Sequence, residues 1–228
     1  MTTDRSSSTD DILLAPADSA AARAVPTRRT LLAIFAGFLL FFHLLFALLR
    51  LAGQSTAADA NVLSLGLRAA VAGAALVLLR APVPLSRRGL LAVEAFLVGA
   101  ETLLLLHAQY TGGVALIDDR DLVDAVALAK NGVFRAAVLM LAGAILVPHA
   151  PAVTGRIAIS IAAALVLCHG LVLHHADTTR LDWDDVAGAQ IVMANALFLI
   201  AAAALSWLAA WRAGPGSDGV GDRPEQEG

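Results

Sequence analysis

Six apolar runs, each about the length of a bilayer crossing, follow one another along the chain: 31–49, 62–79, 90–106, 133–147, 157–173 and 186–207. The hydrocarbon core of a bilayer is about 30 Å thick, so a helical span needs roughly 20 apolar residues. With 58% hydrophobic and only 15% charged residues, the chain is too apolar for an ordinary soluble domain. We predict an all-α polytopic protein in the lipid bilayer: a six-helix domain over 27–212 between disordered tails, 1–26 and 213–228.

Composition also limits the chemistry. A net charge of −3 argues against nucleic acid as a partner, and Cys168, the only cysteine, excludes an internal disulfide. The sequence has no P-loop, nucleophile elbow or dinucleotide fingerprint. We therefore expect no enzymatic activity and no cofactor.

The pair Arg28-Arg29 resembles part of a twin-arginine export signal. The apolar run that follows, 31–49, is longer than the roughly 7–15 residues of a cleavable signal. We interpret it as an uncleaved first span.

Two further patterns concern connections and packing. The segment 107–132 is predicted to be the longest connection, beginning at a Gly112-Gly113 turn and containing a short surface helix over 121–130.

Gly66, Ala70 and Ala74 recur at a spacing of four, which lets helix backbones approach closely in lipid. That stripe would serve equally within one bundle or against a partner, either another membrane protein or a second copy.

The basic residues predict the orientation. Ten arginines fall in the tails and the two loops on the same side, against four basic residues on the other side. They are Arg5, Arg23, Arg28, Arg29, Arg80, Arg87, Arg88, Arg156, Arg212 and Arg223, against Arg50, Arg120, Lys130 and Arg180. The positive-inside rule then predicts an inner-membrane protein with both termini cytoplasmic and its acidic loops outside.

Polar side chains inside the spans are the candidate functional residues, because they are costly in hydrocarbon. They are His43, Arg68, Glu94, Glu101, His107, Arg135, His169, Gln190 and Asn195. The predicted orientation places all of them in the outer half except Glu94. That residue lies near the cytoplasmic end, where Arg87 or Arg88 could reach it.

Glu94 and Glu101 are seven residues apart and so lie on roughly one helix face. In the structural interpretation, Glu101 pairs with Arg68 or Arg135, and Glu94 pairs with the basic loop. In the functional interpretation they form a proton or cation site, with Glu101 acting beside His107 or His43.

Histidines near the outer ends of the spans raise the question of a metal or haem. His43, His107, His169, His174 and His175 could supply imidazoles, but no pair has the spacing of a helical two-histidine site. We expect no metal, and the candidate ligands for one would be His169, His174, His175 and Asp177.

Several short runs carry a family resemblance: Leu85-Ser86-Arg87-Arg88, Val93-Glu94-Ala95-Phe96, His107-Ala108-Gln109-Tyr110, Asn131-Gly132-Val133-Phe134-Arg135 and Val147-Pro148. Together they resemble the membrane module attached to serine/threonine kinases of planctomycete-type bacteria. In that module a basic loop leads into a span with a glutamate near its start and a Gln-Tyr pair at its end. The resemblance implies a stand-alone relative of a sensor or anchor module, without the kinase domain, and it transfers no catalytic residue.

The sequence thus favours a non-enzymatic integral membrane protein of sensor, anchor or signalling-accessory type with acidic extracytoplasmic loops. One alternative is a small proton- or cation-coupled transporter that uses Glu101. The other is a membrane haem or metal protein.

Overall fold

The structure, a computed structural model, describes residues 17–53, 62–147, 149–178 and 185–212. These residues form six helices and no strand, which confirms the all-α prediction. The helices are α1 (Ala17–Leu51), α2 (Val62–Arg80), α3 (Arg87–Asp118), α4 (Leu122–Leu146), α5 (Pro151–Thr178) and α6 (Asp185–Arg212).

All six helices are long and apolar enough to cross a membrane, with mean hydropathy from 1.5 to 2.6 over their apolar stretches. Large apolar side chains on their outer faces are exposed, among them Phe41, Leu63 and Leu103. An outward apolar surface of this kind suits contact with lipid, where every backbone polar group must be satisfied within the helix. The fold is that of a multi-pass membrane protein.

Helix ends follow from local sequence. α2 ends at Arg80 because Pro82 and Pro84 cannot continue a helix. At the start of α3, the Ser86 hydroxyl accepts a hydrogen bond from the Gly89 backbone N–H at 3.1 Å. Asp121 caps α4 in the same way, accepting from the Asp124 N–H at 3.1 Å.

α3 and α4 lie at the centre of the arrangement. α3 packs against α1, α2, α4 and α5, and α4 packs against α1, α3, α5 and α6. The starts of α1, α3 and α5 lie together with the ends of α2 and α6, as contacts from Arg29 to Leu79 and from Gly155 to Trp207 show. We call this the proximal end and the opposite one the distal end.

The predicted connection over 107–132 is wrong. α3 continues to Asp118 and α4 begins at Leu122, so the supposed surface helix is the first part of a long span. Gly112 and Gly113 lie inside α3 because neighbouring helices pack tightly there: an added Cβ would come within 2.9 Å of Leu128 and Val172, respectively. The glycines serve helix packing and not a turn.

The predicted tail over 1–26 is too long, because α1 begins at Ala17. The alanine-rich stretch 17–24 has high helix propensity and extends the first helix backwards, ahead of the span Arg28–Leu51. The remaining tail segments, 1–16 and 213–228, lie outside the described residues.

The small residues Gly66, Ala70 and Ala74 do not pack within the bundle. All three are exposed, and α2 instead buries Ala69, Ala72 and Ala75. Their exposure excludes a role in packing within the bundle. A contact of these residues with a partner protein or a second copy stays a prediction.

Candidate functional site

Polar side chains recur on the buried face of α3, at Glu94, Glu101 and Gln109. Leu97 and Leu105 separate them on the same face. Each of the three polar groups meets partners from other helices, which divides the interior into three clusters along α3.

The proximal cluster consists of Arg28, Glu94 and His149. Arg28 Nη2 donates to Glu94 Oε2 at 3.0 Å, and His149 Nε2 bonds to the other carboxylate oxygen. Arg28 Nη2 also lies 3.2 Å from His149 Nδ1. A guanidinium can only donate, so Nδ1 must accept and Nε2 must carry the proton.

Arg29, the next residue, joins the same end of the bundle differently. Its guanidinium donates to the backbone carbonyl oxygens of Leu79 at 2.7 Å and Val83 at 3.0 Å, and also to that of Ala81. These carbonyls lie at and beyond the end of α2, where the last turn of a helix leaves acceptors without partners. Arg29 thereby caps α2 from α1.

The central cluster consists of His43, Arg68, Glu101 and Arg135. His43 Nε2 lies 2.9 Å from Glu101 Oε2, and each residue is only 3% exposed. Arg68, 2% exposed, lies within the electrostatic influence of both Glu101 and Arg135. The Arg135 guanidinium sits 5.3 Å from the centroid of the Phe46 ring, a cation–π contact.

Hydrogen bonding in the central cluster is incomplete. Among the described residues, Glu101 Oε1, His43 Nδ1 and two nitrogens of Arg68 (Nε and Nη2) have no hydrogen-bond partner. Buried groups left in this state are expensive, which makes the cluster sensitive to any added or removed charge.

The distal cluster consists of Gln109, His169 and Asn195. His169 Nε2 lies 3.4 Å from Gln109 Oε1, and Asn195 Nδ2 has no partner within the described chain. The three side chains line a cavity of ≈ 40 Å³ between α3, α4, α5 and α6, large enough for water. Gly132 makes room for Gln109, since an added Cβ would overlap the carboxamide.

The remaining candidates lie outside these clusters. His107, Gln190, His174 and Asp177 are exposed, and His175 Nε2 lies 2.9 Å from Asp118 Oδ1 at the distal end. In the described ranges, no three His, Cys, Asp or Glu side chains come together as metal ligands would.

The expected contact between Glu94 and the loop at Arg87 and Arg88 is replaced by Arg28 and His149. Sequence reasoning missed both partners because it placed them outside the spans. The sequence did contain a signal for His149. It precedes the fifth span just as Arg87 and Arg88 precede the third, so it is expected at the same membrane depth as Glu94.

Fold and clusters together define a multi-pass helical membrane protein with charged groups in its interior. No protein-family model, curated protein or solved structure gives a significant match to the chain.

Proposed function

We propose that the chain is a non-enzymatic membrane sensor or accessory protein that responds to acidification. One observation carries the proposal: both buried carboxylates of α3 are bonded to a histidine from another part of the chain, Glu94 to His149 and Glu101 to His43. Histidine is the side chain whose charge ordinarily changes between about pH 5 and 8. Contacts that hold α3 in place therefore depend on the protonation of two imidazoles.

Protonation of His149 weakens the proximal cluster. When Nδ1 carries a proton, it can no longer accept from Arg28, and two positive groups lie 3.2 Å apart. Acid thus weakens the attachment of α3 to α1 and to the start of α5. In the central cluster, protonation of His43 changes its contact with the one bonded oxygen of Glu101.

The proposed orientation puts the proximal end in the cytoplasm and the distal end outside an inner membrane. The support is the distribution of basic residues, ten against four in the sequence. The distal turn between α3 and α4 carries Asp118, Asp119 and Asp121, which supplies the acidic extracytoplasmic face. The resemblance to kinase-attached membrane modules fits a sensor that works with another membrane protein.

Melting temperatures in detergent at about pH 5 and pH 8 test the proposal. The wild type should melt at a lower temperature at the acidic pH, because acid adds charge to the buried clusters. The double variant His43→Gln/His149→Gln should lose most of this difference, since glutamine cannot be protonated in this range. His174→Gln, at an exposed histidine, is the matched control and should behave as the wild type. A wild type without pH dependence, or a double variant that keeps it, contradicts the proposal.

A second candidate function is a small proton- or cation-coupled transporter that uses Glu101 with His43. The observation in its favour is that Glu101 Oε1 and His43 Nδ1 are buried without hydrogen bonds in the described structure, and so are available to an incoming proton or cation. Glu101→Gln should then abolish proton or cation flux in proteoliposomes while the protein stays folded. A lower melting temperature with unchanged flux would make the carboxylate structural.

A further inference from the structure

A long apolar groove lies between α5 and α6 at the proximal half of the bundle. Its floor consists of the buried residues Gly155, Ala162, Leu199 and Ala203. Larger exposed side chains form its walls, namely Ile159, Leu167, Ile200 and Trp207. The groove encloses ≈ 810 Å³.

The length of the groove matches one leaflet of a bilayer. From Gly155 to Leu167 along α5 the helical rise amounts to about 18 Å, and from Ala196 to Trp207 along α6 to about 16 Å. Half of the hydrocarbon core is about 15 Å. A transmembrane helix of a partner would contact the bundle over the full thickness of the hydrocarbon core, whereas an acyl chain occupies one leaflet. The groove therefore fits acyl chains better than a helix.

Basic and aromatic residues lie next to the groove residues at its proximal end. Arg156 directly follows Gly155, and Arg212 ends α6 directly after Trp211 and five residues beyond Trp207; all these residues except Gly155 are exposed. Residues 149–160 and 204–212 contain no Asp or Glu. Guanidinium groups bind phosphate, and tryptophans favour the membrane interface.

We propose that this groove binds an anionic phospholipid, with its acyl chains between α5 and α6 and its phosphate at Arg156 and Arg212. The charge at the mouth selects an anionic headgroup, and the small residues Ala162 and Ala203 of the floor make room for the chains. Binding requires neither the sensing role nor the proposed orientation. If the proximal end is cytoplasmic, the site faces the leaflet in which anionic lipids attract basic residues.

Native mass spectrometry of the full chain tests the site with two lipids of identical acyl chains, palmitoyl-oleoyl phosphatidylglycerol and palmitoyl-oleoyl phosphatidylcholine. The wild type should retain one phosphatidylglycerol in preference to phosphatidylcholine. Arg156→Gln/Arg212→Gln should weaken the retention of phosphatidylglycerol by about tenfold and remove the preference. Ala163→Phe, which fills the groove from an exposed position, should weaken the retention of both lipids.

The matched controls are Arg88→Gln and Ala70→Phe, at exposed positions away from the groove, and both should bind as the wild type does. Melting temperatures show that each variant is folded. Equal retention of the two lipids by the wild type, or unchanged retention in Ala163→Phe, overturns the proposal. A dimer that Ala163→Phe dissociates also overturns it, because the groove is then filled by a second copy of the chain.

Discussion

Glu94 and Glu101 lie on one face of α3, two turns apart, yet the two clusters around them differ in balance. Glu94 has both oxygens bonded, and its partner Arg28 has a side chain 16% exposed near the end of the bundle. Glu101 has one oxygen bonded, is 3% exposed and acts electrostatically on the buried Arg68. A carboxylate near the surface can be neutralised by one arginine that reaches water, whereas the partners of the deeper Glu101, His43 and Arg68, are themselves buried.

The largest expected effect separates these two carboxylates. Glu101→Gln should destabilise the protein by about 3–5 kcal/mol, because it removes the carboxylate that balances the charge of the buried Arg68. Glu94→Gln should have a smaller effect, about 1–2 kcal/mol, because Arg28 can turn toward water. Thermal or denaturant unfolding in detergent measures both. Equal losses of stability in the two variants would show that the depth of the carboxylate does not matter. A stabilising effect of Glu101→Gln would show that the native carboxylate destabilises the fold.

A double-mutant cycle then tests whether the central cluster acts as a unit. Arg68→Gln/Glu101→Gln should recover about 0.5–3 kcal/mol of the summed losses of the single variants, since it removes one charge of each sign. The pair Arg68→Gln/Glu94→Gln joins residues of different clusters and should be additive. Additivity in both pairs would mean that Glu101 does not stabilise Arg68.

Gln109, the third polar group on the buried face of α3, can be tested through its neighbour Gly132. Gly132→Ala should destabilise by about 1–3 kcal/mol, because the new methyl group overlaps the Gln109 side chain. Gly66→Ala is the matched control, since a Cβ there meets nothing within 4 Å, and it should be neutral or slightly stabilising. If the two variants melt alike, Gln109 is free to move away and the distal cluster is looser than the other two.

The smallest expected effect lies at the proximal end. Arg29→Ala should cost about 1–2 kcal/mol, the size of a lost helix cap, because it frees the carbonyl oxygens beyond α2. Arg88→Ala, at an exposed arginine, should change the melting temperature little. If Arg29→Ala and Arg88→Ala change the melting temperature equally, Arg29 does not cap α2 and contributes no more than an exposed arginine does. Of Arg28 and Arg29, only Arg28 would then have a defined structural role.

Hydrophobicity was enough to predict six helical spans, because the bilayer fixes both the length and the composition of a crossing. It could not predict that α3 and α4 extend to within three residues of each other, because Gly112-Gly113 has the local signature of a turn and only the contacts with Leu128 and Val172 favour a helix. The buried charges were visible as costly residues. His43, which bonds to Glu101, was among the neighbours that the sequence offered for it. The partners of Glu94 were not predicted, since Arg28 and His149 lie at span ends, where a polar residue has no need of a buried partner.

Since α3 is a single unbroken helix of 32 residues, it behaves as a stiff rod about 48 Å long, well beyond the thickness of the hydrocarbon core. Glu94 lies near one end of this rod and Asp118 at the other, about 36 Å apart. A tilt of about 5° around Glu94 displaces the Asp118 end by roughly 3 Å. A small change in the angle of α3 at the buried Glu94 would thus be amplified into a larger displacement of the distal turn.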